Sequence, residues 1–340
     1  MRGRFSFLGM IFILLISILA GVTLGGVNIP VKETIKVLVN WLPFIDWESI
    51  DPMYQSIIMA IRLPRVIMAA LVGAALAIAG TVMQGVFRNP LADPGIIGVS
   101  AGGTFGAVLV IFLGWSLVQP FLVPVAGFIG AMTTVIITYH IATTRNFTHI
   151  GTLLLAGIAI STFLNAFVSL MLSYAQFSLS QQILFWLMGD LNGSQWSDVY
   201  YLIIPILLGV SFLIWFGKEM DIMQLGDEQA ENIGLDLQKL RRILLVVASL
   251  LTGISVAFTG TIGFVGLIVP HIMRFIVGPS HRVLIPASAI GGAIFLIVAD
   301  LLSRLVIRPA EIQVGIITSF FGAPFFLYLV WKNKQLFTKG

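Results

Sequence analysis

The chain has 340 residues, 58% of them hydrophobic and only 10% charged, with a formal net charge of +4 and no cysteine. A mean hydropathy of +1.02 overrides the two soluble domains that this length would otherwise suggest, so residues 1–340 are read as one polytopic, all-α membrane domain. The missing cysteine excludes disulfides, thiolate metal sites and cysteine nucleophiles.

Apolar runs that could form spanning helices, each needing roughly 20 residues, recur along the chain. The first, 6–26, follows Arg2 and Arg4 and ends in small residues as a secretory signal does. It is longer than such a signal and is read as an uncleaved first helix. "PVKETIKVLVNWL" (30–42) reads as an amphipathic helix on the outer membrane surface. Pro30 suits its first turn. Lys32, Glu33, Lys36 and Asn40 share one face, and Val31, Ile35, Leu38 and Trp41 or Leu42 share the other. Further spans are expected near 66–86, 96–113, 121–141, 151–173, 199–217, 243–262, 264–277, 284–303 and 314–331, about ten in all. The run 264–277 is short and carries Pro270. The Gly-rich run 96–113, just after Pro94, fits a pathway-lining segment or simple close packing. Ala69, Gly73 and Ala77, and likewise Gly102 and Gly106, have the four-residue spacing that lets helices approach closely.

With the N-terminus inside, 13 of the 19 Lys and Arg residues fall on the inner side, as the positive-inside rule requires, and both termini are cytoplasmic. An acidic island, "LGDEQAENIGL" (225–235), then lies inside between the sixth and seventh spans. It reads as short helical pieces broken at Gly234. Asp227 and Glu228 sit at a start favoured by the helix dipole. Leu225 and Ile233 form an apolar knob suited to a groove on a partner protein. A solvated loop fits the same residues.

The chemistry of a self-powered machine is missing. "GKEM" (217–220) lacks the glycine spacing and the Ser/Thr of a phosphate-binding loop. His140, His149, His271 and His281 form no ligand pair, so neither a metal site nor a cofactor is expected. His271 and Arg274 share a helical face, which suits a structural hydrogen bond more than a metal or proton role for His271, since no second ligand is nearby. Few charges fall at mid-bilayer depth, so no proton relay is visible. No catalytic constellation is visible, and an enzyme is not expected. Any movement of cargo must draw on energy from elsewhere, which makes the island the candidate coupling point.

That island resembles the L-G-x-x-x-A-x-x-L/I-G coupling segment of ABC importer permeases of the FecCD type, which import iron chelates, haem and cobalamin. The resemblance runs through "RLPR" (62–65), "GTVMQGVFRNPLADPGIIGVSAGG" (80–103), "LLLAGIAIS" (153–161), "FWLMGDL" (185–191), "GTIGFVGLIVPHIMR" (260–274), "ADLLSR" (299–304) and "VGIITSFFGAPFFLYLV" (314–330). It implies the BtuC-like, ten-helix fold of type II ABC importer permeases. It also implies a bacterial cytoplasmic membrane location and pairing with a second permease copy or a paralogue. The other implied partners are two ABC ATPase subunits, an extracytoplasmic substrate-binding (lipo)protein and membrane lipid, with no nucleic acid. The implied function is translocation of an iron(III)–siderophore, with haem or cobalamin as the alternative; a secondary transporter or channel is the rival of a different class.

Site residues carry over from the same motifs. Arg62, Arg65 and Arg304 resemble the arginines that receive carboxylates of the binding protein, a task suited to bidentate guanidinium pairing, with Asp300 placed to orient Arg304. Arg62 and Arg65 are expected to open the second span on the outer side. Leu225, Gly226, Asp227, Glu228, Gln229, Ala230, Ile233, Gly234 and Leu235, within 221–240, would meet the ATPase. Asn89 and Leu91 in "RNPLADP" match cytoplasmic gate positions, and Ile150 and Gly151 in "HIGT" occupy a second gate position while departing from it in composition. Two departures stand out: Gln313 replaces the family's usual proline before the last helix. Asp190 stands where Gly-Ser is usual, and fits either an acid at the outer mouth or an ordinary exposed loop residue.

Overall fold

The computed structural model of the protein describes residues 2–40, 50–145 and 147–332. In chain order the helices are α1 (Arg2–Thr23), α2 (Val31–Asn40), α3 (Pro52–Ser56), α4 (Leu63–Val86), α5 (Val99–Phe112), α6 (Trp115–Val118), α7 (Leu122–Ala142), α8 (Ile150–Tyr174), α9 (Phe177–Met188), α10 (Trp196–Trp215), α11 (Gly217–Met223), α12 (Asp227–Asn232), α13 (Leu237–Thr259), α14 (Val265–Val277), α15 (His281–Leu305) and α16 (Val314–Lys332). A two-residue antiparallel pair, β1 (Thr143–Thr144) with β2 (Phe147–Thr148), links α7 to α8.

Among the described residues, six helical runs are long and apolar enough to cross a membrane: Pro52–Val86, α7, α8, α10, α13 and α15. Shorter apolar helices stand at the remaining expected positions, in α1, α5, α14 and α16. The second span differs from expectation. It begins at Pro52 rather than near 66, because α3 runs through a π-helical stretch, Ile57–Arg62, straight into α4. The wide turn lets the Leu63 N–H donate to the Ile58 carbonyl just ahead of Pro64, which has no N–H of its own. The 12-residue α9 is absent from the sequence reading altogether. α2 forms as expected, with Val31 and Ile35 left exposed on its apolar side and a Lys36–Glu33 ion pair of 2.8 Å. Positions 41 and 42, expected to extend it, lie outside the described residues.

α4 is the axis of the bundle, buried along most of its length and packed against α13, α14 and α15. Small residues make this possible. A Cβ on Gly73 would overlap the Gly292 carbonyl of α15, and one on Gly102 would overlap Gly130 and Thr134 of α7. By contrast α7, α8 and α10 leave most of their apolar surface uncovered by the chain itself. Exposed Leu155, Ile158, Phe163 and Leu170 on α8 are tolerable only against lipid or a second protein surface. The alternation of helices gathers α12, the 87–98 loop and the β1–β2 hairpin at one end of the bundle. Arg62, Arg65 and Arg304 lie at the other.

Candidate functional site

At the first end, α11 leads into the acidic island, whose helix is α12. Gly226 (φ 121°) starts α12 and Gly234 (φ 90°) stops it, both in the left-handed region that favours glycine. The Gly234 N–H donates to the Glu231 carbonyl and the Leu235 N–H to the Ala230 carbonyl, which closes the helix end and satisfies its last acceptors. Ala230 is fully buried and seats α12 on the bundle, while Leu225 and Ile233 stay 57% and 64% exposed on either side of it. Glu228, Gln229 and Glu231 face outward. The expected apolar knob with acidic flanks is therefore present.

Asp227 is held from two directions. Arg241 Nη2 on α13 donates to both of its oxygens at 2.8 and 2.9 Å, and Arg88 Nη2 donates to Oδ1 at 2.6 Å. Partial burial works against the charge, but the two guanidiniums outweigh it and hold the Asp227 carboxyl below the ordinary carboxylate range. Asp221 behaves alike. Burial opposes its charge, and donors from Ser280 Oγ (2.6 Å) and the His281 N–H (2.5 Å) more than compensate, so its carboxyl is also depressed. These contacts fasten α11 to the start of α15.

The gate candidates lie beside this cluster. Asn89 and Leu91 are in the loop after α4, where the Leu91 N–H donates to Asn89 Oδ1 (2.9 Å), a self-closed turn. Asn89 is exposed and Leu91 half-buried. Gln224 Nε2 donates to the Gly85 carbonyl at the end of α4 (2.9 Å). Ile150 and Gly151 begin α8 directly after the hairpin, at the same end. There the Tyr139 hydroxyl oxygen accepts from both Thr148 Oγ1 and Arg242 Nε, at 2.9 Å each, and the Thr148 N–H donates to Gln238. His271, further along α14, packs edge-on against Phe275 and Phe325, while Arg274 donates to Gln84 Oε1 (2.5 Å).

The three arginines at the opposite end are not surface groups. Arg62, Arg65 and Arg304 are 5%, 4% and 5% exposed. They neither open the second span nor present a free guanidinium, because the helix already begins at Pro52 and the interior supplies every arginine with acceptors. Arg62 Nη1 donates to the Val22 and Thr23 carbonyls (2.9 and 2.6 Å) and Nη2 to that of Val27. Arg304 donates to the Gly21 and Leu24 carbonyls (3.1 and 3.3 Å). Both thus cap the carbonyl end of α1, where cations are favoured. Arg65 Nε donates to Asp300 Oδ1 and its Nη1 to Glu311 Oε2, both at 2.7 Å, and Asp300 Oδ2 lies 3.0 Å from Arg304. Arg65 Nη2 is buried with no hydrogen-bond partner among the described residues. Glu311, 38% exposed in its side chain, is the group of this cluster that reaches the surface.

Asp190 is neither exposed nor free. It is half-buried, and its Oδ1 accepts the Leu191 and Asn192 N–H groups (2.7 and 3.0 Å). Burial pushes its carboxyl above the usual range despite those donors. Gln313 closes a turn into α16 through its carbonyl, which accepts the Ile316 N–H at 3.0 Å. Close by, Leu187, Met188, Thr261, Ser319 and Phe320 line an open concavity of about 630 Å³ between α9 and α16. Its walls are mostly apolar and carry no charge. The sequence reading did not contain this concavity, since one wall is the overlooked α9. It also did not contain the Arg88–Asp227–Arg241 and Arg65–Glu311 contacts, which no local spacing signals.

The sequence profile described as the FecCD transport family matches residues 13–332. The chain is 42% identical over 334 residues to the ABC transporter permease protein YvrB of Bacillus subtilis, covering 97% of this chain and 93% of that one. It is 46% identical over 279 residues to the cobalamin import system permease protein BtuC of Halobacterium salinarum (81% and 73% covered). It is 36% identical over 342 residues to the hemin transport system permease protein HmuU of Yersinia pestis (98% and 99%). Among solved structures, an inward-facing transporter described as of metal-chelate ABC type aligns with a TM-score of 0.83 at 32% identity, covering 97% of this chain and 99% of that one. PsaBC from Streptococcus pneumoniae aligns at 0.57 and 19% identity (87% and 95%), a likeness of fold alone.

Proposed function

Since the chain belongs to the FecCD transport family and is a multi-pass membrane permease of an ABC importer, we propose that it carries a bulky metal chelate inward, driven by two cytoplasmic ATPases. In this reading the six long and four shorter apolar helices all cross the membrane, and the α12 end and both termini are cytoplasmic. A second copy or a paralogue completes the pathway, and a substrate-binding protein docks at the Arg65 end. The carrying observation is α12, which holds Leu225 and Ile233 out of the bundle on a polar segment whose one buried residue, Ala230, fixes it to the bundle. An apolar tip with acidic flanks suits a groove on a partner. The exit then sits beside the coupling segment, as a gate driven from it requires.

Docking by the binding protein would address Arg65. Its Nη2 has no partner among the described residues and its Nη1 is held by the 38% exposed Glu311, so displacement of Glu311 would open the fork to an incoming carboxylate. Arg62 and Arg304 would support it by holding α1. The uncharged, largely apolar concavity between α9 and α16 suits a cargo whose metal is wrapped by its own ligand. The reading taken from the sequence is an iron(III)–siderophore. Cobalamin is the second reading, favoured by the 46% identity to a cobalamin permease, and haem the third, through the hemin permease.

The test is uptake into proteoliposomes containing the permease, its ATPase and its binding protein, offered separately a ferric hydroxamate siderophore, cyanocobalamin and haemin. Nucleotide-dependent accumulation of one chelate is expected. Accumulation by the permease alone with no nucleotide overturns the reading, as does ATPase binding that is unaffected by Leu225→Asp together with Ile233→Asp.

A further inference from the structure

We propose that Arg88 is the link that carries movement of the coupling segment to the exit gate: one side chain grips α11 and α12 while its backbone forms the start of the gate loop. The inference deepens the function proposed above and rests on its coupling reading. Arg88 immediately precedes Asn89, and its Nη2 reaches both the Met223 carbonyl that ends α11 (2.5 Å) and Asp227 Oδ1 that begins α12 (2.6 Å). Those partners lie 135 and 139 residues away in sequence, so the contact joins two pieces of the bundle end that are distant along the chain, alongside the Gln224–Gly85 hydrogen bond.

Two further observations point the same way. Arg88 has φ 46°, a left-handed conformation that a residue with a Cβ adopts only when its surroundings impose it. Its N–H donates to the Gly85 carbonyl (3.3 Å), and the following Asn89 N–H donates to that of Gln84 (3.1 Å), so the chain turns sharply just as the side chain leaves toward α12. The strained residue is thus the one that bridges the two elements. Secondly, Asp227 is shared: Arg241 fixes it to α13, in the body of the bundle, and Arg88 fixes it to the loop. A shift of α12 relative to α13 therefore has to lengthen one of these pairs or drag the gate loop along. Arg88 holds both the end of α11 and the start of α12, whereas the neighbouring Gln224–Gly85 contact reaches only the turn between them.

The absence of native cysteine allows clean single-site labelling. The permease assembled with its ATPase in lipid nanodiscs would carry Leu91→Cys as gate reporter or Glu228→Cys as coupling-segment reporter. Maleimide labelling rates would be compared with and without vanadate-trapped nucleotide. With Arg88 intact, nucleotide changes the rate at both positions. In Arg88→Gln the change at 91 should fall by about 2- to 30-fold, the range for one residue modulating coupling between sites, while the change at 228 persists. Arg88→Lys, which keeps a cation, should recover most of the response at 91. Asp227→Asn attacks the same pair from the exposed segment without touching the loop, so it keeps the test decisive should Arg88→Gln fail to fold. Arg241→Gln should leave the response at 91 in place. A full response at 91 in Arg88→Gln or Asp227→Asn overturns the link. No nucleotide response at 228 in the unaltered background overturns the coupling reading, and the link with it.

Discussion

Neutralising Asp300 tests what holds the Arg65 end together. Its side chain is 1% exposed and lies 2.7 Å from Arg65 and 3.0 Å from Arg304, themselves almost wholly buried. Replacing it by Asn keeps the shape and an acceptor oxygen for Arg65 Nε but leaves two buried guanidiniums with one compensating charge fewer. Breaking a buried ion pair from one side costs about 3–5 kcal/mol, and the retained acceptor places Asp300→Asn near the lower figure. Glu311→Gln is the control. Its carboxylate meets the same arginine at the same 2.7 Å but is 38% exposed, so solvent screening limits its contribution to less than about 1 kcal/mol. At roughly 2 °C per kcal/mol for a large chain, the thermal midpoint in detergent should fall by about 6 °C in Asp300→Asn and by no more than about 2 °C in Glu311→Gln. Intrinsic fluorescence of the seven tryptophans reports it. Equal shifts in the two variants would show that burial does not set the energetics of this cluster, and the account of the arginines as interior anchors would fall with it.

Glu311→Gln has a second expected effect if the binding protein addresses Arg65: removing the resident carboxylate should tighten capture by up to about fivefold, the equivalent of a partly exposed pair. Pull-down affinity that is unchanged or weaker speaks against that docking mode. Gly73→Val should abolish recovery of folded protein in size-exclusion chromatography, because its branches would enter the Gly292 backbone, where neither helix can yield; a normal yield would mean that α4 and α15 are less tightly apposed. Asp221 and Asp227 have folded pKa values below the unfolded carboxylate value of about 3.9, so their stabilisation is in place above that pH and is lost as pH falls through the depressed values. Amide exchange across 217–236 should therefore accelerate below about pH 4, and less steeply in Asp227→Asn; identical profiles would count against the ion pairs.

Much of the helical plan was legible because apolar length is a local property. The acidic island was legible for the same reason: Leu225, Ile233 and the two glycines act within a dozen residues, and the structure places the knob and the helix stop at these residues. The failures share a physical cause. "FSLSQQILFWLM" carries Ser178, Ser180, Gln181 and Gln182 in its first half and falls short of a span, so a search for spanning runs passes over α9. Polar Tyr54, Gln55 and Ser56 likewise hide the early start of the second span, which a π-helical stretch, Ile57–Arg62, then joins to α4 just ahead of Pro64.

The sequence by itself determined that this chain lives in a bilayer as helices, because each segment's transfer energy and hydrogen bonding are settled within the segment. It also determined that the chain has an acidic, apolar-tipped island in one of its loops. Only the tertiary structure decided what the charged residues do. Arg65 meets Glu311 across 246 positions and Arg88 meets Asp227 across 139. A guanidinium takes whichever acceptors the packing brings to it, in the low-dielectric interior for Arg65 and at the exposed end of the bundle for Arg88, and that choice is made by helices settling against α4 rather than by neighbours along the chain.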